Sequence, residues 1–431
     1  MLFSCIALFL TLTPFAIMAN VGDGIRTPKE IASIFGLLAV ISMGALYTRR
    51  SVRLGALWLF LIWCYATVCL NTFYFPVWLP NNIVVNTSVD LFAWKELFYI
   101  TLACLAIYTI ASADKPKIKS LKTSIISVRF GEPKNIRVIA VAISWVVAVM
   151  AVYAIIQAIG LDNVFRASNY ADLLATTNTD PHFHYTHRTV GTVGNPTLLG
   201  VFIAICVPFT LYIRSKLGYV AFGLSVVLLI ILQSAGALIG GAVGITAYLA
   251  LRHGLVRNIL FGAFIGSLIF GTVLIVYPEC RASEATKEIA QGSFTSYLNP
   301  TGRVEVHKIA WEFLRQRPLI GLGLGSFDYM IGRNPQVIER MKGEAWRELH
   351  DDIGQIWFTT GLVGLSLFVW LCVSAIKGVF RNPSNDAMVL VSALSAFLVM
   401  SLVLFPMRTQ PSAFYGVILL GLLFRVTGGK R

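Results

Sequence analysis

The sequence predicts an all-α polytopic membrane protein with about twelve transmembrane helices and one large, mostly helical extracytoplasmic loop. Three observations lead there. Hydrophobic residues make up 56% of the 431 residues and charged ones only 13%, against about 25% charged in ordinary globular domains, and mean hydropathy is +0.73. The apolar residues fall in long unbroken runs without the period-two alternation of strands, and only helices or closed barrels satisfy their backbone groups in lipid. Lys and Arg also concentrate on alternate connections between those runs, as the positive-inside rule requires.

A hydrocarbon core of about 30 Å needs about 20 residues at about 1.5 Å each. Runs of that kind lie at approximately 2–18, 31–48, 54–73, 91–112, 136–160, 196–213, 217–233, 236–251, 257–277, 352–376, 387–407 and 411–427. The first lacks a basic leader and a small-residue cleavage site, so it reads as a retained helix. The seventh and eighth are separated only by Gln233-Ser234-Ala235-Gly236, either a short external turn or a break within one long helix. That choice sets the direction of everything after it. Pro208 and Pro406 mark kinks near helix ends, and Lys95 and Glu96 are placed to snorkel from the outer end of the fourth span. The chain divides into helices one to nine over 1–277, an extracytoplasmic loop over 278–350 and helices ten to twelve over 351–431.

With the N-terminus cytoplasmic, the inner connections carry Arg49, Arg50 and Arg53, then Lys115 through Arg137, Arg214 and Lys216, Arg252 and Arg257, Lys377 and Arg381, and finally Arg425, Lys430 and Arg431. The short outer connections keep only Arg26, Lys29, Lys95, Arg166, Arg188 and Arg408. Both termini are then cytoplasmic, and the loop at 278–350 lies outside although it holds ten Lys or Arg residues, since long loops translocate largely regardless of charge. The cytoplasmic share of the +14 formal charge follows from topology and anionic lipid. The external share suits an anionic ligand such as a phosphate or pyrophosphate, with a solvated basic loop as the plain alternative.

Within the loop, Val306, Ile309, Ala310, Phe313 and Leu314 form one side of an amphipathic helix that follows Asn299-Pro300-Thr301 and ends near Pro318. Arg303 falls in its first turn, with His307 one turn later. The simplest alternative for Arg303 is a surface salt bridge with Glu305 or another acid. Gly321-Leu322-Gly323-Leu324-Gly325-Ser326 lacks the following Lys-Ser/Thr and the preceding strand of a phosphate-binding loop, so close backbone packing accounts for it better. A second helix, about 335–349, leads into His350-Asp351-Asp352. A histidine at the mouth of a helix bundle can exchange a proton near neutral pH, and Asp351 is placed to orient it.

Other chemistry is thinner. The seven cysteines are scattered with no C-x-x-C, so neither a disulfide framework nor a zinc site is indicated. His182, His184 and His187 have spacing that a metal could use, although a polar loop feeding the Gly194-Asn195-Pro196 turn explains them more simply. No nucleic-acid-binding motif accompanies the basic residues.

Four fragments, read in order, resemble the O-antigen ligase and O-antigen polymerase superfamily: R-T-V-G-T-V-G-N-P at Arg188 to Pro196, T-G-R at Thr301 to Arg303 followed by Trp311, P-L-I-G-L-G-L-G-S-F at Pro318 to Phe327, and L-H-D-D-I-G-Q-I-W-F-T-T-G-L-V-G at Leu349 to Gly364. Each alone is weak, but their order and spacing agree over about 185–376. The resemblance implies an inverting, metal-independent glycan transferase, without a cofactor, in the bacterial inner membrane. Its donor would be an undecaprenyl-pyrophosphate-linked glycan and its acceptor a hydroxyl on lipid A-core or another glycan, met at the periplasmic face among membrane lipid. His350 and Arg303 would be catalytic, Arg188 and Arg303 would bind the lipid pyrophosphate, and Asp351 would orient His350.

Two positions depart from the family pattern. Asp351 stands where Asn, Ser or Gln is usual, and Ser234-Ala235-Gly236 replaces a common Ser-Arg-Gly, leaving that arginine's work to Arg188 or another loop arginine. A ligase is favoured over a polymerase or a protein O-oligosaccharyltransferase by the twelve-span layout and by Gly361-Leu362-Val363-Gly364 beyond the histidine. A secondary transporter, the rival class, would need polar residues along a pathway and repeated halves; here they cluster at one face.

Overall fold

The structure is a computed structural model that describes residues 2–16, 26–49, 52, 54–72, 77–78, 84–85, 91–116, 135–159, 190–232, 234–252, 300–341, 346 and 348–428. Its helices are α1 (Leu2–Leu12), α2 (Arg26–Gly44), α3 (Gly55–Thr72), α4 (Leu91–Ser112), α5 (Asn135–Ala158), α6 (Pro196–Ile213), α7 (Lys216–Leu232) and α8 (Ala235–Arg252). Then come α9 (Pro300–Leu314), a π-helical turn at Asp328–Gly332, α10 (Pro335–Arg340), α11 (Asp352–Arg381), α12 (Asn385–Met400) and α13 (Ser412–Thr427). The span expected at 257–277 lies outside the described residues.

Four described helices are long and apolar enough to cross a membrane: Ala93–Ser112, Ile136–Ala158, Pro196–Ile213 and Asp352–Arg381. Shorter apolar helices lie at Leu2–Phe15, Gly55–Leu70, Lys216–Leu232, Gly236–Arg252, Asn385–Met400 and Ser412–Thr427. This is a multi-pass membrane protein. Several elements are shorter than the apolar runs suggest, for local reasons. Helix α1 tightens into a 3-10 turn at Thr13–Phe15, around Pro14, which cannot donate to a helical ladder. The run expected at 387–407 stops as a helix at Met400 and continues as turns through Pro406, so Pro406 marks a turn while Pro208 sits inside α6. The helix expected over 335–349 ends at Arg340. Two small antiparallel strand pairs, Tyr47–Arg49 with Ala113–Pro116 and Val77–Trp78 with Val84–Val85, are additions to the all-α expectation.

Contacts between helix ends give the direction of α1, α2, α4, α6, α12 and α13. At one face Leu2 N–H donates to the Tyr47 hydroxyl beyond α2 (3.0 Å), and the strand pair Tyr47–Arg49 with Ala113–Pro116 joins the ends of α2 and α4. Arg425 in the last turn of α13 donates to the Ala113 carbonyl, and Tyr212 near the end of α6 to Asp386 at the start of α12. At the other face Lys95 pairs with Glu30 (3.0 Å), joining the starts of α4 and α2. Ser33 donates to Gln410 before α13 (2.8 Å), and Thr192 before α6 donates to the Pro14 carbonyl after α1 (2.9 Å). Adjoining membrane helices therefore alternate in direction.

Helices α7 and α8 obey the same alternation. On one continuous helix Leu229 and Gly241 would be about 18 Å apart, yet a Cβ on Gly241 would stand 2.9 Å from Leu229 Cδ1. They form an antiparallel hairpin. Helix α8 then lies close on α12 and the turns after it through Gly236, Gly240 and Gly244, one turn apart, which face Leu404, Met400 and Ala396 respectively. Because lipid tails solvate apolar side chains as well as a neighbouring helix does, such close approach of small residues supplies the packing energy between membrane helices.

Helix α11 is broken at Gly361, whose φ of 67° and ψ of −176° are non-helical. A continuous helix would bond Leu362 N–H to Phe358 O and Val363 N–H to Thr359 O. Instead the segment Pro318–Gly323 is inserted between them. Leu322 and Gly323 N–H donate to Phe358 and Thr359 O (both 2.9 Å), while Pro318 and Leu319 O accept from Leu362 (2.9 Å) and Val363 (3.2 Å). Trp63 Nε1–H from α3 meets the Thr360 carbonyl (2.7 Å). The backbone groups freed by the break thus regain partners, as a low-dielectric setting demands. The glycine-rich run does serve close backbone packing: a Cβ on Gly321 would collide with Gly361 N, and one on Gly361 with Leu319 O.

Candidate active site at the start of helix α11

His350 precedes α11 in a left-handed backbone conformation, φ 58°, which non-glycine residues adopt rarely and often at functional sites. Its imidazole stands between two aromatic rings, Trp346 at 5.0 Å and Phe405 at 4.5 Å between centroids, both edge to face. Asp351 is the N-cap of α11: its Oδ1 accepts from Ile353 N–H (3.0 Å), satisfying one of the donors a helix start leaves open. Its Oδ2 lies 3.9 Å from His307 Nε2.

The next acid is buried. Asp352 is 1% exposed; its N–H donates to Ser401 O (2.9 Å) and Leu404 O (3.2 Å), and its Oδ2 accepts from Met407 N–H (2.8 Å). Leu349 N–H donates to Gln355 Oε1 (2.9 Å). The residues on both sides of His350 are therefore tied down, one set to α11 and the other to the turns after α12.

Helix α9 brings the loop to this place. All five residues expected on its apolar side are buried, packed with Leu322, Phe327, Met330, Val337, Leu349 and Phe358 in a core of their own. Arg303 lies in its first turn, and His307, one turn on, faces Asp351. Glu305, the acid suggested as a partner for Arg303, is engaged by Arg340 (2.8 Å) and Lys308 (3.8 Å). Arg340 of α10 bridges Glu312 (2.9 Å) as well, and its bonds to Glu312 and then Glu305 hold the guanidinium pKa above its ordinary value. Farther along α9, Trp311 packs edge-on to Trp357 of α11 at 5.5 Å, whose indole N–H donates to Pro318 O (3.1 Å).

The Gly-Asn-Pro turn is formed as expected: Asn195 caps α6 by accepting from Thr197 N–H (2.8 Å) and Leu198 N–H (3.2 Å), with Gly191 and Gly194 at positive φ. Arg188 lies outside the described residues, as do His182, His184 and His187. Among the described residues no three His, Cys, Asp or Glu side chains group as a metal site. The start of α8, at Ala235, is near the histidine, since Gly236 abuts Val403 and Leu404, immediately before Phe405.

Sequence reasoning missed one pair. Glu96, expected to snorkel, accepts instead from Arg408 Nη1 (2.7 Å) and from Gly325 N–H (3.0 Å), and Lys95 pairs with Glu30. The available signal was an acid in the second turn of an apolar span together with a lone arginine in the last outer connection.

With this arrangement in view, comparison with known proteins bears directly on the segment that builds it. Residues 220–369 match the family model described as O-antigen ligase. That family segment holds Arg303, the Gly321–Gly325 run, His350 and the broken part of α11. Three curated relatives are similar, each under a name proposing a polysaccharide ligase: one of Rickettsia felis, 25% identical over 163 residues, covering 37% of this chain and 39% of the relative; one of Rickettsia bellii, 28% over 134 residues, covering 30% and 31%; and one of Rickettsia conorii, 24% over 163 residues, covering 37% and 38%. The chain matches between about a third and two fifths of these relatives' lengths.

Asp351 yields a local prediction. Asn caps a helix as well as Asp does, whereas Ala costs about 1 kcal/mol, so Asp351→Asn should keep the melting temperature of the detergent-purified protein and Asp351→Ala should lower it.

Proposed function

We propose that this protein is an O-antigen ligase-type enzyme that moves a glycan from undecaprenyl pyrophosphate to an acceptor hydroxyl, lipid A-core being the acceptor class, at the periplasmic face of the bacterial inner membrane. The observation that carries the reading is the meeting of α9 with the start of α11: His307, one turn after Arg303, lies 3.9 Å from Asp351, the residue after His350. A proton acceptor and an arginine-bearing helix are thus joined at one mouth of the membrane helices.

The charge distribution supports the orientation. At the face away from His350 lie Arg137, Arg214, Lys216, Arg252, Lys377, Arg381 and Arg425, all at helix ends, which suits the cytoplasm. Twelve spans with both termini cytoplasmic keep that allocation. From Gly361 to Arg381, α11 rises about 30 Å, the thickness of the hydrocarbon core. Its first turns, with Trp357 and Trp311, then stand at the outer interface where tryptophan is favoured, and His350 stands above it.

In this reading His350 acts as general base and takes the proton of the acceptor hydroxyl. The oxygen attacks the anomeric carbon as the bond to the pyrophosphate oxygen breaks, with inversion, and the electron pair leaves with undecaprenyl pyrophosphate. Arg303 and Arg188 neutralise the charge that grows on that leaving group, an interaction stronger in the transition state than in the ground state. Asp351 orients His350 by fixing the first turn of α11 directly after it.

The test is the electrophoretic glycan profile of a host strain lacking the protein, with and without the wild-type gene. Loss of the surface ladder with accumulation of long lipid-linked glycan, restored by the gene, is the expected result. Single repeats left on the surface acceptor would make it a polymerase, and an unchanged profile in a strain without a second such enzyme would sink the transferase reading.

A further inference from the structure

His350 is held from a direction that its own neighbourhood in sequence does not reveal. Its ring meets Phe405 at 4.5 Å, and Phe405 belongs to the turns after α12, which also supply Ser401 O and Leu404 O to Asp352 N–H and Met407 N–H to the Asp352 carboxylate (2.8 Å). The far side of that segment is held by Arg408, whose Nη1 donates to Glu96 Oε1 (2.7 Å). The second oxygen of the same carboxylate accepts from Gly325 N–H (3.0 Å), two residues beyond the segment that is inserted into α11. One carboxylate on α4 therefore ties together the two pieces of chain that flank the start of α11, the segment before it and the turns after it.

An ionisable residue within an apolar membrane helix is costly and marks function when its partner is specific. Glu96 lies in the candidate span Ala93–Ser112. Glu96 and Arg408 are 26% and 24% exposed, so the pair is neither a rim contact nor fully sealed. Arg408 directly follows Met407, whose N–H bonds Asp352, in the same turns that carry Phe405 against the imidazole.

We propose that Glu96, through Arg408 and Gly325, is a positioning residue for His350. The proposal rests on the transferase reading for its catalytic consequence, since a base displaced by about 1 Å loses on the order of 10²-fold in rate, but its geometric content stands apart from that reading. Breaking the pair should loosen the turns that carry Phe405 and uncover the imidazole.

The experiment uses the purified full chain in lipid nanodiscs, with wild type, Glu96→Gln, Arg408→Gln, Arg408→Lys and the Glu96→Gln/Arg408→Gln double variant at equal monodispersity. Diethyl pyrocarbonate labelling, read by peptide mass spectrometry, reports the imidazoles without any activity. The expected result is labelling of His350 about fivefold faster in Glu96→Gln and Arg408→Gln, with His307 labelled at its wild-type rate and Arg408→Lys intermediate. Transfer is read with lipid-linked glycan extracted from the deletion strain as donor and that strain's unsubstituted lipopolysaccharide as acceptor. A turnover about tenfold lower at unchanged donor KM is expected in each single variant, with the double variant no slower than the slower single, because the two residues act as one unit. Unchanged His350 labelling in both single variants would overturn the proposal, as would a raised KM at unchanged turnover or single effects that multiply. Faster labelling of His350 with no transfer by the wild-type protein would uphold the positioning role and reject the transferase reading.

Discussion

If the protein is the proposed transferase with His350 as its base, replacing His350 with alanine is expected to slow glycan transfer about 10²–10⁴-fold, the usual contribution of a positioned general base. The substitution also removes a ring packed against Trp346 and Phe405, and edge-to-face contacts of this kind are worth about 0.5–1.5 kcal/mol each. Some stability will be lost with the base, so transfer must be compared at matched membrane levels. His350→Gln is the sharper variant: it keeps polar bulk between the two rings but cannot take the proton. If His350→Gln transfers glycan at the wild-type rate while holding its membrane level, His350 is a packing residue and another group is the base. Arg303→Ala should fall with it, but through the leaving group, so donor analogues with a better leaving group should recover more rate in Arg303→Ala than in His350→Gln.

The second large effect is on folding. Gly361→Ala should destabilise the protein by on the order of 3 kcal/mol or more, because its φ of 67° and ψ of −176° fall in a region essentially restricted to glycine, and a Cβ there would collide with Leu319 O. That is a large part of the roughly 5–15 kcal/mol that separates folded from unfolded protein. The same substitution at Gly223 of α7, where a Cβ would meet nothing within 4 Å, is the control and should be neutral or mildly stabilising, by up to about 1 kcal/mol. Both variants would be followed by monodisperse yield and melting temperature in detergent. Equal behaviour of the two would mean that the break in α11 is absent in the membrane.

Much of this was legible in the sequence because the governing signals are local. Unbroken apolar runs located the described apolar helices, and the spacing of Val306, Ile309, Ala310, Phe313 and Leu314 located the buried side of α9. The Gly-Asn-Pro turn and the close packing of the glycine-rich run followed from glycine and proline stereochemistry. What was not legible depends on contacts between distant segments. Glu96 and Arg408 are 312 residues apart, and nothing in either neighbourhood names the other. Likewise the length and composition of α11 suggested one plain helix; its break is visible only once Pro318–Gly323 is seen to take over the bonds that Gly361 forfeits. Asp351 reads from sequence as an orienting acid; that its Oδ1 also caps α11 through Ile353 N–H depends on where the helix starts.

The break at Gly361 also bears on how such chains can be recombined. Residues 318–323 precede α11 in a separate stretch of chain, yet they complete the backbone bonding of α11, which begins at Asp352. A chimera that exchanges the loop alone would import one half of a bonded ladder and retain the other half from a different parent. Loop and helix should therefore be exchanged as a unit, with the crossover point beyond Val363, inside the apolar helix, not at the apparent boundary between loop and helix.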